Sequence, residues 1–212
     1  MTTELILIRH GESTSNIDRI ATSAHEGYPL TERGRAQAVA AGRRLSTLAV
    51  DHIYCSPIQR ARQTAQLVGG SVRAPISVRP GLEEIDVGIH EGRAESDVAL
   101  NAVTNFERWL RLGDLEHGFD GGENAVQVAD RVSAVLVDLA RQHSGGTAIV
   151  VSHGGALALA LVRLCHNVPA EFAWANLLDN CSTVMVSVDG EVWTCRSWAG
   201  IRLSGCSAPA DR

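Results

Sequence analysis

The clearest pattern in the chain is a set of short apolar runs that stop abruptly. Leu5-Ile6-Leu7-Ile8 is unbroken by polar residues, as expected of a strand buried on both faces, and it gives way at once to Arg9-His10-Gly11-Glu12. Thr147–Val151 repeats this, running into Ser152-His153-Gly154-Gly155 ahead of an Ala- and Leu-rich helix. Shorter strands are predicted at His52–Cys55 and Ile76–Arg79, and a hairpin is predicted from Cys181–Val188 and Glu191–Trp198 around Asp189-Gly190. Helical spacing marks 31–49, with Thr31 as N-cap and Ala36, Val39, Ala40, Leu45 and Leu48 as its apolar face, and 124–142, with Val128, Val132, Val135, Leu136 and Leu139. A further helix is predicted to start at the Ser56-Pro57 capping box and to stop at Gly69-Gly70. Residues 81–123 are the least regular, with one helix expected near 94–112, and 203–212 read as a frayed tail.

Strands alternating with helices predict an α/β, three-layer αβα sandwich around a mainly parallel mixed sheet. The length, 212 residues, fits one domain spanning 1–212, with 86–123 as an insertion over the mouth of the site. In such sheets ligands bind beyond the carboxyl ends of the strands, which is where His10 and His153 lie.

Composition narrows the chemistry. All 19 basic residues are arginine, so a phosphate-binding loop lysine, a kinase β-strand lysine and a Schiff-base amine are all excluded. A net charge of -5 argues against nucleic-acid binding. No apolar run reaches the ~20 residues of a membrane span, and Met1-Thr2-Thr3-Glu4 lacks the basic segment of a secretory signal. Five scattered cysteines without a CxxC pair favour reduced thiols and a cytoplasmic location. The eight histidines are dispersed and form no metal-ligand spacing, so neither metal nor other cofactor is expected.

Arg9-His10-Gly11 combines a guanidinium, an imidazole and a glycine turn, a combination suited to holding a phosphoryl group against a nucleophile. Ser13 and Asn16 add neutral donors. Arg60, in the first turn of its helix, adds a second fork, whereas Arg62 reads as a surface residue. At the second strand end, a protonated His153 and the Gly154 N–H would stabilise charge on the phosphoryl oxygens. Glu83, Glu84 and Asp86 each offer a proton for the leaving oxygen, and spacing alone does not choose among them.

These blocks together resemble the histidine phosphatase superfamily, in its phosphoglycerate-mutase-like branch. The resemblance rests on Arg9-His10-Gly11-Glu12-Ser13 with Asn16; Ser56-Pro57 through Arg60 to Ala65; Leu82–Glu84 with Gly88 and Glu91-Gly92; Gly121-Gly122-Glu123; and Ser152–Gly155. It implies that His10 is the nucleophile, its other ring nitrogen held by a backbone acceptor. Arg9, Arg60 and His153 bind phosphate with Asn16 and Gly154, and Glu84 is the proton donor. Thr22 and Ser23 are placed to touch substrate. The stretch 20–31 and the middle region, read as short and without basic residues for a second anion, depart from the mutase pattern. The expected activity is therefore a metal-independent phosphatase of a small phosphomonoester, acting as a monomer or homodimer. The alternatives are a cofactor-dependent phosphoglycerate mutase and a non-catalytic phospholigand-binding module. Trp109, Phe106, His90, His117 and Phe119 are expected mainly to pack.

Overall fold

The computed structural model describes residues 1–98 and 102–203. In chain order the elements are β1 (Thr3–Arg9), α1 (Thr14–Asp18), β2 (Ile20–Ala21), α2 (Glu32–Leu45), β3 (His52–Cys55), α3 (Gln59–Val72), β4 (Ile76–Val78), β5 (Arg93–Ala94), α4 (Glu95–Val98) and α5 (Ala102–Glu107). They continue with α6 (Ala125–Gln142), β6 (Thr147–Ser152), α7 (Gly154–Leu164), α8 (Ala170–Ala175), β7 (Thr183–Asp189), β8 (Val192–Trp198) and β9 (Ile201–Arg202).

Seven strands form one sheet in the order β4-β3-β6-β1-β7-β8-β9. The β4, β3, β6 and β1 pairings are parallel, while β7, β8 and β9 join antiparallel. The sheet is thus half parallel rather than mainly so, because the C-terminal hairpin extends it past β1. Side chains alternate across β1: Leu5 and Leu7 pack in one core with α6 and α7, and Ile6 and Ile8 in the other with α2 and α3. Ala148 and Val150 against Ile149 and Val151 do the same in β6. Burial on both faces explains the unbroken apolar runs and gives the three layers.

Three helices differ from expectation for steric reasons. Helix α2 has Thr31 as its cap, its hydroxyl accepting the Gly34 N–H at 2.9 Å, but its buried face is Gly34, Ala38, Ala41, Gly42 and Leu45. Ala36, Ala40 and Leu48 are exposed instead. The smaller stripe wins because α2 lies very close to α3: a Cβ on Gly42 would sit 2.9 Å from the Val68 carbonyl oxygen. Helix α3 starts at Gln59 rather than at Ser56-Pro57 and runs through Gly69-Gly70 to Val72. Gly69 is an approach point, since a Cβ there would meet Ile76 of β4 at 2.7 Å. The single helix expected at 94–112 is instead α4, then α5 continued by a π turn over Arg108–Leu112 that ends at Gly113 in the left-handed conformation; residues 99–101 lie outside the described residues. So do 204–212, which hold nearly all of the expected tail.

The hairpin forms one residue later than expected. Asp189 pairs with Val192, leaving Gly190-Glu191 as the two-residue loop, with Gly190 at φ +60°. A positive φ at the first loop residue is what a type II′ turn requires, and glycine adopts it without strain. Trp193 and Trp198 are buried, so they belong to the core. Among the described residues no helix is long and apolar enough to cross a membrane.

Candidate active site

The parallel pairing of β1 with β6 sets Arg9 opposite Ser152, and the His10 N–H donates to the Ser152 carbonyl at 2.9 Å. Both strands end at the same level, so His10 and His153 emerge side by side, their ring centroids 5.1 Å apart. Both rings are buried.

His10 has two distinct nitrogens. Nδ1 lies 2.7 Å from the Gly11 carbonyl oxygen, to which it donates, leaving the lone pair on Nε2. Arg60 Nε donates to that Nε2 at 3.1 Å. The Gly11 turn is pinned from α3, its N–H donating to Thr64 Oγ1 at 3.0 Å, and by contact with the Gly34 backbone of α2. Burial, reinforced by Arg60 and Arg9, holds the His10 imidazole well below its ordinary pKa of 6.5, so it is neutral.

The arginines are anchored on one side and open on the other. Arg60 Nη2 donates to the Thr22 carbonyl at 3.0 Å and Arg9 Nη1 to the Leu178 carbonyl at 2.5 Å. Arg60 Nη1, Arg9 Nε and His153 Nδ1 are buried atoms without a hydrogen-bond partner among the described residues. Burial lowers the pKa of both guanidiniums, in each case opposed by Glu84. A buried and a half-buried guanidinium with unused donors beside an imidazole lone pair are suited to holding an anion.

Asn16 completes it. Its Oδ1 accepts from the Ser13 N–H and Oγ (both 3.1 Å) and from Asn180 Nδ2 (3.2 Å), which leaves its own Nδ2 for the cavity. Ser13 departs from expectation: it is the buried N-cap of α1, its hydroxyl bonded to Ser15 and Asn16, and is absent from the cavity wall. Thr22 lines the cavity, but its hydroxyl and that of Ser23 are committed to the Glu91 carboxylate, and Ser23 lies outside the wall.

His153 is set by Ser56, whose Oγ lies 2.8 Å from His153 Nε2 and accepts the Ile58 N–H at 3.2 Å. Ser56 is therefore a positioning residue instead of a helix cap. Burial together with Arg60, His10 and Arg9 holds His153 well below 6.5, so in the free protein it is neutral, against the expectation of an imidazolium. The Gly154 N–H, the first of α7, has no partner among the described residues.

Glu84 sits across that helix start. Its Oε1 accepts the Ala156 N–H at 2.9 Å and its Oε2 the Gly155 N–H at 3.2 Å. Glu83 is turned away, accepting the Gly81 N–H and facing Arg131 at 3.8 Å, and Asp86 Oδ1 accepts the Gly88 N–H. Of the three carboxylates only Glu84 lines the cavity.

The cavity has a volume of about 180 Å³. Arg9, His10, Asn16, Arg60 and Glu84 share its wall with Ile20, Ala21, Ile85, Val87, Phe106 and Phe119. Trp109 is core, its Nε1 donating to the His117 carbonyl at 2.7 Å, and His90 packs against Phe119. The middle region does contain arginines, but Arg108 pairs with Asp114, Arg111 with Glu107, and neither they nor Arg93 reach the wall.

Sequence reasoning missed Ser56, Thr64 and Asn180 as site residues. Asn180 Nδ2 also donates to the His10 carbonyl at 3.1 Å, across 170 positions of sequence. No local pattern marks it.

Residues 5–200 match the family model described as histidine phosphatase superfamily (branch 1). A Citrobacter koseri protein named "Probable phosphoglycerate mutase GpmB" is 32% identical over 198 residues, covering 92% of this chain and 89% of that protein. Solved structures of the same fold include the alpha-ribazole phosphatase of Shigella flexneri (29% identity, TM-score 0.76, covering 96% of this chain and all, 100%, of that one). YhfR of Bacillus stearothermophilus is 27% identical with a TM-score of 0.79, covering 97% and 98%. The strand-end histidines, the arginine pair beside them and these matches along the chain agree: the protein belongs to the histidine phosphatase superfamily, branch 1.

Proposed function

We propose that the chain is a metal-independent phosphatase that hydrolyses a small phosphomonoester through a phosphohistidine on His10. The phosphoryl group takes the unused donors of Arg9, Arg60, Asn16, Gly154 and His153. With the Ser56 hydroxyl donating to Nε2, the proton of the neutral His153 ring is on Nδ1, the nitrogen left free. His10 Nε2 attacks phosphorus; the P–O bond to the alcohol breaks, and Glu84 gives that oxygen its proton. A water then attacks phosphorus and passes a proton to Glu84. The P–N bond breaks, and phosphate leaves. The two guanidiniums meet the charge of the transferring group, work done by magnesium in other phosphoryl-transfer sites. A cytoplasmic location goes with this reading, supported by the scattered cysteines.

One observation carries the reading: an unprotonated His10 Nε2 fixed by the Gly11 carbonyl, beside three buried donors without partners among the described residues. The second reading, a phosphoglycerate mutase, is favoured by the names of the curated relatives. Against it, Arg9 and Arg60 are the only arginines among the described residues of the cavity wall, and one phosphoryl group would use both. Incubation with 3-phosphoglycerate and simple phosphomonoesters separates the two. A phosphatase releases inorganic phosphate without a primer; a mutase requires a bisphosphate primer and returns the phosphoryl group to substrate.

A further inference from the structure

Resting on that reading, the part of the cavity that must hold the alcohol has a specific charge character. Two sides of it come from a ribbon between the first block and the middle region. Ile20 pairs with Ala94 and Ala21 with Arg93, and the ribbon is extended by the Glu95 N–H donating to the Arg19 carbonyl at 2.6 Å and the Gly92 N–H to the Ala21 carbonyl at 2.9 Å. This register brings Glu95 into the cavity wall beside Ile20 and Ala21, with Ile85, Val87, Phe106 and Phe119 as the rest of the apolar lining. The wall therefore combines the Arg9 and Arg60 guanidiniums beside His10, an apolar lining and the exposed carboxylate of Glu95.

The Glu95 carboxylate makes no hydrogen bond or ion pair with the described residues; the cation it acts on is Arg9 of the same wall, whose charged form it favours electrostatically. Arg19 and Arg93, the cations on the same ribbon, are exposed and lie outside the wall. Once a phosphoryl group occupies Arg9 and Arg60, a second anion on the substrate finds no cation and meets Glu95. An apolar alcohol meets Phe106, Phe119 and Val87, and a cationic one meets aromatic rings and a carboxylate, both of which attract it. The volume, small beside the roughly 300–1,000 Å³ of drug-sized sites, limits the alcohol to a compact group.

We propose that Glu95 is a specificity-determining residue: the cavity accepts phosphomonoesters whose alcohol is apolar and neutral or cationic, and Glu95 rejects those carrying a second negative charge.

The test is a matched set of aryl phosphates: phenyl phosphate, 4-carboxyphenyl phosphate and 4-(aminomethyl)phenyl phosphate. Phosphate release is followed in the unaltered protein and in Glu95→Gln and Glu95→Arg. Expressing each substrate as a variant-to-wild-type ratio of kcat/KM cancels the differing leaving-group reactivity. Glu95→Gln should raise the carboxyphenyl ratio over the phenyl ratio by roughly fivefold, the scale of one exposed charge contact, and lower the aminomethyl ratio. Glu95→Arg should shift both further in the same directions. Equal ratios for all three esters in both variants would overturn the role of Glu95 while leaving the phosphatase reading intact. Absence of phosphate release from every ester in the unaltered protein would overturn both.

Discussion

Arg60 Nε donates to His10 Nε2 across 3.1 Å, so in the free protein a guanidinium rests on the lone pair of that nitrogen. On the proposed mechanism, binding of a phosphoryl group transfers that N–H from nitrogen to a phosphoryl oxygen, which both frees His10 Nε2 and clamps its target. Arg60→Met should lower kcat/KM by about 10²–10³-fold, the scale for losing one preorganised charge-stabilising group. Arg60→Lys should recover little of this, because an ammonium lacks the planar fork that reaches His10, Thr22 and the ligand together. The Met variant should be at least as resistant to urea as the parent, since it removes a buried cation that burial already disfavours. A marked loss of stability would mean that Arg60 holds the fold rather than the ligand.

Glu84 makes a separate prediction from its position over the start of α7. As the proposed proton donor, it should matter most when the leaving alcohol is a weak acid. Glu84→Gln should reduce hydrolysis of alkyl phosphates by about 10²–10⁴-fold, and that of a dinitrophenyl phosphate far less. Equal losses on both substrates would assign Glu84 to capping the helix alone.

Ser56 holds His153 through a 2.8 Å bond and is buried. Ser56→Ala leaves His153 Nε2 and the Ile58 N–H without their partner, so it should cost about 1–3 kcal/mol in urea unfolding. It should also lower kcat with less change in KM, and Ser56→Thr should restore part of both. Imidazole nitrogen shifts in NMR would show the tautomer preference of His153 weakened in the Ala variant.

His10 and His153 are both held neutral by burial and by the neighbouring arginines, well below 6.5. The unfolded chain takes up these protons near pH 6.5. Below that pH it binds more protons than the native state, so stability is complete above 6.5 and falls with acidification. The slope is up to about 1.4 kcal/mol per pH unit for each histidine. Urea unfolding at pH 8, 6.5 and 5.5 checks this, and His153→Gln should lose up to one proton of the acid slope. Superimposable pH profiles would show that His153 is not held neutral.

The main frame of the fold was readable because β1 and β6 are buried on both faces. Their uninterrupted apolar runs mark strands, and their abrupt ends mark where His10 and His153 emerge. The buried face of α2 was not readable, because Ala and Gly carry little hydrophobic signal and the close approach to α3 is a tertiary effect. Ser56-Pro57 has the local pattern of a helix cap; only the contact with His153, 97 residues away, reveals its use. Thr22 and Ser23 were placed near the site from the sequence, but that their hydroxyls are taken by Glu91 depends on a partner about 69 positions away, which no local pattern encodes. In the sequence only family resemblance separates Glu84 from Glu83 and Asp86; in the structure it alone of the three lines the cavity.

The central claim is that His10 Nε2 becomes covalently phosphorylated. Rapid quenching with a ³²P-labelled phosphomonoester, followed by peptide mapping, tests it most directly. The account predicts label on the peptide containing His10, stable in base and lost in acid as a P–N bond requires, and absent from His10→Ala together with the activity. An acid-stable label, label on another residue, or full turnover by His10→Ala would contradict it.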